Sequence, residues 1–472
     1  IGDDTFYRVY AKGFIREDFD NPTGGTAHDA WQSARGGFRV EMAPTPRDSL
    51  TFQGDIYQED ADQSVTLSSF LTPPFSRTME DDLDTQGMNL IARWKQQSSE
   101  RSNWMLQLYY DRTNREEVII DETRDTFDME FQHQWVPNAR HDLVWGLGYR
   151  YTADDTQGAF NTSLDPEDRD DHLFSGFIQD DIMLLTDRVW FTLGVKLEHN
   201  DYTQFEVQPS ARLRWKPTPE STLWGSVSRA VRTPSRADQD LTVNLFAEQD
   251  PFTGATSVMR VLGNPSFKSE ELTALEVGFR WAPVPAFSLD LAAFYNHYEN
   301  YRSLEPQMPF LEFMPQPPHL VVPLKIDNLM NADTHGIEAL VTWQPFEIWR
   351  LSASYSFINI EMKPDQASGD TESQEYERFS PDHQVQLRSY LDLPKDFSLD
   401  TLVYLVDEIP YWEIDGYVRL DLRLGWDPSP NWSFSLIASN LLDSGHQEFG
   451  DISGINASEI PQAIFGKLTW RF

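Results

Sequence analysis

No cysteine occurs among the 472 residues. That excludes disulfides and thiolate metal sites, so a chain of this length draws its stability from cooperative structure. No run of about 18 apolar residues occurs either, which excludes a membrane-spanning helix. Positive charge is scarce: 38 basic against 75 acidic side chains leave a net charge of −37. Nucleic-acid binding needs a basic surface and is not expected. HExxH, GxSxG, P-loop and dinucleotide fingerprints are all missing, so no enzymatic role is expected. The first residue is Ile1, with no charged or apolar leader to read. None of these absences excludes strands that cross a membrane, because there only every second residue has to be apolar.

What is present is alternation. The closing segment IPQAIFGKLTWRF places Ile464, Leu468, Trp470 and Phe472 on one face and Lys467, Thr469 and Arg471 on the other. The same pattern recurs upstream. Val418, Leu420, Leu422, Leu424 and Trp426 oppose Arg419, Asp421 and Arg423, while Val189, Phe191, Leu193, Val195 and Leu197 oppose Thr192, Lys196 and Glu198. Twenty such strands are expected, from about 5–16 to about 459–472. A charge on a lipid-facing position costs about 2–4 kcal/mol near the midplane, so the charged face must be wet.

Three features choose a membrane barrel over a soluble sandwich. Many of the segments exceed 12 residues, longer than soluble strands of about five or six. Short turns at 44–49, 136–140, 216–221, 283–285, 393–396 and 427–431 alternate with long polar connections at 17–33, 60–84, 235–267, 300–324, 363–379 and 447–458. Trp94, Trp104, Trp215, Trp281, Trp343, Trp426, Trp432 and Trp470 lie near the short-turn ends, where a membrane–water interface favours an amphipathic ring. The expected fold is all-β, an antiparallel transmembrane β-barrel in the outer membrane of a Gram-negative bacterium.

Several segments resemble the TonB-dependent outer-membrane receptors. SVSRAVRTPS (226–235), NPSFKSEELTALEVGFRW (264–281), NADTHGIEALVTWQP (331–345) and ASNLLDSGHQEFGD (438–451) occur in the family's order. Glu271, Glu276, Gly278, Asn331, Gly336, Glu338, Asn440, Leu441 and Asp443 carry the motifs. The resemblance implies a 22-stranded barrel filled by an N-terminal plug, and the opening IGDDTFYRVY is similar to the family's entry into its third strand. On that alignment residues 1–472 are the barrel portion, without the plug and the first two strands. The alternative is that the first and last strands pair to close a twenty-stranded barrel.

The implied activity is energised uptake of a scarce large solute, most commonly a ferric siderophore or other iron complex. The partners are TonB, reached through the plug region, the iron chelate, outer-membrane lipid and lipopolysaccharide, and the barrel-assembly machinery acting on the strand that ends at Phe472. Cobalamin, haem or oligosaccharide uptake, or a passive porin-like channel, are the alternatives. No cofactor is expected. Candidate ligand residues near the extracellular mouth are Arg229 and Arg232, whose guanidinium groups suit carboxylate or catecholate oxygens. Phe246, Phe310, Phe313, Tyr411 and Trp412 are candidate apolar walls. His172, His199, His297 and His335 stand beside strand ends without a paired catalytic motif. The acidic groups Asp165, Glu167, Asp168, Asp170, Asp171 and Glu59, Asp60, Asp62 lack EF-hand spacing and read as solvated loops rather than calcium sites.

Overall fold

In the computed structural model, residues 4–22, 24–69, 73, 75–250, 252, 254–450 and 457–472 are described. The first three residues of the opening motif, Asp451 at the end of the fourth motif and half of the 447–458 connection lie outside them. One sheet contains 24 strands, of which twenty form the wall. The other four, Thr162–Leu164, Leu241–Gln249, Thr256–Leu262 and Phe310–Glu312, belong to loops. From Thr5–Arg16 to Ala463–Trp470, each wall strand pairs antiparallel with the next.

The alternating pattern sets the two faces. Leu213, Val227, Leu275, Val277, Leu291, Ile337 and Leu424 are exposed on the outside. On the inside, polar groups satisfy one another: Arg423 donates to Asp400 at 2.8 Å, Ser226 to Glu276 at 2.8 Å and Arg93 to Gln107 at 2.8 Å. An apolar outer belt around a hydrogen-bonded polar interior is stable only with lipid outside and water or protein inside.

The periplasmic rim is a repeated device. A β-bulge precedes most of the short turns, and Trp135, Trp215, Trp281, Trp343 and Trp426 each occupy the last paired position before one. Beyond the bulge, a backbone N–H donates to a turn carbonyl of the preceding hairpin. Gln97 donates in this way to Arg47, Val136 to Arg101, Met183 to Arg140, and so on to Arg471 and Asn431, at 2.7 to 3.0 Å. The tryptophans thereby stand at one level. Trp135 joins the expected set at 47% exposure, while Trp104 is partly covered by the edge of Trp94 at 4.8 Å.

Two expected loops are largely strand. The 60–84 connection is the upper part of a hairpin, Asp48–Ser68 with Ser76–Ser99, paired as far as Ser68 with Ser76. The 300–324 connection is shortened because Phe287–Pro306 and His319–Phe346 extend into it. Above the membrane a hairpin meets water on both faces, so it keeps its ladder without the apolar alternation that marks a strand in sequence.

The family motifs have physical reasons. Strands Ser221–Arg232 and Glu270–Val284 are neighbours, with Ser226 opposite Glu276 and Arg232 opposite Glu270. At Gly278 an added Cβ would collide with the indole of Trp224, and at Gly336 it would collide with the Phe357 carbonyl and the Phe294 ring. Asn440 is fully buried with φ 54°; its N–H donates to Asp421 at 2.9 Å and its Nδ2 to the Ile460 carbonyl at 3.0 Å.

Among the described residues no ladder joins the first wall strand to the last. They meet above the wall at one bridge between Asp20 and Glu459, where the Glu459 N–H donates to the Asp20 carbonyl at 2.9 Å.

Candidate functional site at the extracellular mouth

The extracellular loops fold onto one another. Thr162–Leu164 pairs with Leu241–Val243, and Leu241–Gln249 pairs with Thr256–Leu262. Ser257–Leu262 runs parallel to Leu320–Lys325, and Phe310–Glu312 covers the other edge at His319–Val321. Ser68, at the tip of the long hairpin, donates to the Asn244 carbonyl at 2.8 Å, and Asn161 donates to Ser68 Oγ at 2.7 Å. Three arcs of the wall, 48–99, 141–185 and 221–346, therefore meet through their loops. On a ring, three arcs meet in this way only across its opening.

Ion pairs and one buried core fasten this loop sheet. Val258 and Val321 are completely buried, and Val261, Phe267 and Ile326 form an apolar cluster with Val243, Leu304 and Leu324. Arg260 donates to Asn244 at 2.8 Å and to Glu312 at 2.8 Å, and His319 Nε2 lies 3.0 Å from the same carboxylate. Hydrogen bonds from Arg260, with a further contribution from His319, hold the Glu312 carboxyl below the usual range against the effect of burial.

The short helix Arg236–Asp240 is the second fastening. Ser235 caps it, and Asp238 returns a bond to the Ser235 N–H at 2.9 Å, a reciprocal capping box. Burial pushes the Asp238 carboxyl up, but bonds from Arg232 and from the Ser235 backbone and hydroxyl outweigh it and hold the group below its ordinary value. Arg236 is buried, bonded to Asp154, to Asp240 at 3.2 Å and to the carbonyls of Pro166 and Glu167. Arg169 reaches Asp240 and Asp171 at 2.9 Å each and lies 4.2 Å above the Tyr202 ring. Burial, then the 2.6 Å bond to Asp171, push the Tyr202 hydroxyl up.

These contacts decide the fate of the two arginines singled out in the sequence. Arg229 shares the outward face with Val227 and pairs with Glu271 at 2.8 Å, so it does not face the mouth. Alternation sets that side, and only the register of the whole strand shows it. Arg232 does point inward, but it is held between Glu270 at 2.6 Å and Asp238 at 2.9 Å.

The open cations are others. A cavity of about 460 Å³ opens beneath the helix, lined in part by Glu122, Arg124, Arg150, Asp171, Tyr202 and Arg236. Among the described residues Arg124 forms an ion pair with Glu122 alone and Arg150 with Asp128 alone, and each guanidinium side chain stays about half exposed. Both lie at inward positions of alternating strands, a signal that was readable once the wet face was known.

The aromatic candidates divide into two groups. Tyr411 and Trp412 are brought together with two residues not foreseen, Tyr376 and Phe379. Phe379 lies 4.0 Å from Tyr411, 4.9 Å from Trp412 and 5.0 Å from Tyr376. Phe246 and Phe310 sit on the loop sheet in adjacent rows, hence on opposite faces, and Phe313 follows at 62% exposure. The signal for Phe379 and Tyr376 was the aromatic pair in the polar stretch 373–379.

A wall of twenty antiparallel strands, apolar outside and polar inside, with short turns at one end and folded loops at the other, defines an outer-membrane β-barrel. The chain belongs to the TonB-dependent receptor family: residues 4–441 match the family described as "TonB dependent receptor-like, beta-barrel". It is accordingly an outer-membrane protein of Gram-negative bacteria. No curated protein matches the chain. Among solved structures it is similar to a point mutant of the ferric enterobactin receptor PfeA from Pseudomonas aeruginosa. The TM-score is 0.76 at 15% identity, over 100% of this chain and 76% of that one. It is also similar to the siderophore receptor PirA from Acinetobacter baumannii, with TM-score 0.73 at 14% identity over 100% and 76%. The copper transporter OprC gives a TM-score of 0.73 at 13% identity over 99% and 76%. At these identities the likeness is one of fold.

Proposed function

We propose that the protein takes up a ferric siderophore or similar iron chelate, energised from the inner membrane through TonB. The observation that carries this reading over a passive channel is the loop sheet joining three arcs of the wall across the mouth. A porin keeps its mouth open, whereas a receptor captures its solute there. Family membership supports the class, and two of the three similar structures above are named for siderophores. Arg124 and Arg150 supply cationic contact for an anionic chelate, and the mutually tilted rings of Phe379, Tyr411 and Trp412 supply an aromatic surface. A copper ion is a second solute to test, given the third similar structure.

The same reading treats residues 1–472 as the barrel portion of a longer receptor. An unpaired strand edge in a bilayer leaves backbone groups without partners, which costs several kcal/mol each. The edges at Thr5–Arg16 and Ala463–Trp470 are therefore completed by further strands or by each other.

Fluorescence titration of the purified protein with ferric catecholate, ferric hydroxamate, haem, cobalamin and copper tests the solute. Saturable quenching by one iron chelate, weakened about tenfold or more in R124Q/R150Q, is the expected result, since a bond to a charged group contributes about 1.5–3 kcal/mol. Saturation by cobalamin or copper alone, with no response to iron chelates, overturns it.

A further inference from the structure

The inward face of the first two wall strands is built differently from the rest of the lumen. Elsewhere several inward cations stand beside a carboxylate, as Arg423 does with Asp400 at 2.8 Å and Arg419 with Asp421 at 3.0 Å. Between Thr5–Arg16 and Trp31–Thr45 the facing pairs are Arg8 with Arg39, Tyr10 with Gly37, Lys12 with Arg35, Phe14 with Ser33 and Arg16 with Trp31. Val9, Ile15 and Phe38 are exposed on the outer side, so these five rungs all face the lumen. Two of the rungs set like charges directly opposite one another, an arrangement that destabilises a sheet.

Little on the wall offsets that repulsion. Arg39 donates to Glu41 and to Gln53 at 3.0 Å each, and Arg35 lies 3.6 Å from Asp55. Glu59, on the same face, accepts from Ser33 at 3.1 Å. Among the described residues Arg8, Lys12 and Arg16 have no ion-pair partner, and aromatic rings hold them instead. Arg8 lies 5.8 Å from the centre of the Tyr10 ring, Lys12 5.1 Å from that of Phe14 and Arg16 5.1 Å from that of Trp31. Phe14 meets Trp31 edge-on at 4.5 Å. Tyr10 lies across Gly37, where an added Cβ would collide with its ring, and its hydroxyl is bonded to Asp55. Cation and aromatic ring thus alternate at every second residue from Arg8 to Arg16. At about 3.3 Å per residue and a tilt of about 40°, the series climbs about 20 Å, most of the apolar band of about 25 Å.

We propose that this face is a binding track for an aromatic polyanion inside the lumen, with Arg8, Lys12 and Arg16 as its charged contacts and Phe14 and Trp31 as its ring contacts. Anionic groups pair with the three cations and relieve the opposed charges, while the aromatic rungs receive a flat ring. Repetition at one spacing offers several equivalent sites in series, so a bound anion is handed from rung to rung rather than held at one. The mouth cations Arg124 and Arg150 are on other strands, so the track stands whether or not that site holds an iron chelate.

Fluorescence anisotropy of pyranine, a trisulfonated hydroxypyrene, titrated with the purified full-length protein tests this. Saturable binding, weakened about tenfold or more in R8Q/K12Q/R16Q, is the expected result. Gel mobility with and without heating reports whether that variant is folded. If it is not, R8Q, K12Q and R16Q are compared singly, each expected to weaken binding about twofold to fivefold. Undiminished binding in the folded variants overturns the inference. So does binding that is lost in R124Q/R150Q but kept in R8Q/K12Q/R16Q, which places the anion at the mouth. Absence of binding by the unaltered protein overturns it as well, because carboxylates of another part of the receptor then neutralise the three cations.

Discussion

At the scale of single residues, small and charged side chains matter through what they exclude or fix. Gly336 lies against the Phe357 carbonyl and the Phe294 ring. G336L is expected to cost about 1–3 kcal/mol by overpacking, seen as a lower unfolding midpoint in denaturant. Asp238 yields a pH prediction. Its folded carboxyl titrates below the unfolded value of about 3.9, so its stabilising contribution is complete above that value and is lost as pH falls through the lower folded one. Proteolysis within 233–269 should rise only as pH falls below about 4, and D238N should be susceptible already at about pH 5 with little further change. By contrast R229Q, which alters an outward ion pair with Glu271, should leave chelate affinity within about twofold. The arginines were visible in the sequence as residue types. Whether each faced lipid, a carboxylate or the cavity depended on neighbours 38 and 42 positions away.

At the scale of elements, ladders and loops behave differently. Inside the apolar belt a one-residue slip would turn every leucine inward and every arginine into lipid, so register is strongly specified and the alternation is legible. Above the belt, stretches such as QEDADQSVTLS carry no such demand, and the upper part of the hairpin, within 60–84, reads as loop although it is paired as far as Ser68 with Ser76. The edges at Thr5–Arg16 and Ala463–Trp470 allow a direct experiment, because the chain has no native cysteine. A panel pairing V9C or A11C with G466C or L468C should form no disulfide in membranes if further strands intervene. Two strands would separate the partners by about 14 Å, beyond the roughly 7 Å limit for a disulfide. Efficient cross-linking would show direct closure instead.

At the scale of the whole molecule, charge and topology act together. Of the net charge of −37, much lies on the extracellular loops, while inward arginines and carboxylates pair across the wall, as Arg423 does with Asp400 and Arg150 with Asp128. The loop sheet then determines whether the barrel conducts. Deleting residues 241–262 removes both central strands of that sheet and should raise single-channel conductance several-fold in planar bilayers, with the wall still folded by heat-shift on gels. Unchanged conductance would mean that the lumen, not the loop sheet, limits passage.

The division between sequence and tertiary structure follows from range. Alternation, turn chemistry and tryptophan placement act over a few residues against a fixed solvent, lipid or water, so the twenty wall strands, their orientation and the family were determined by the sequence alone. The pairing of Arg229 with Glu271 and of Arg232 with Glu270 and Asp238, the meeting of Phe379 with Tyr411 and Trp412, and the closing of three arcs over the mouth were decided only in the folded chain. Each joins residues tens to hundreds of positions apart, through ladders whose register is set by the whole wall.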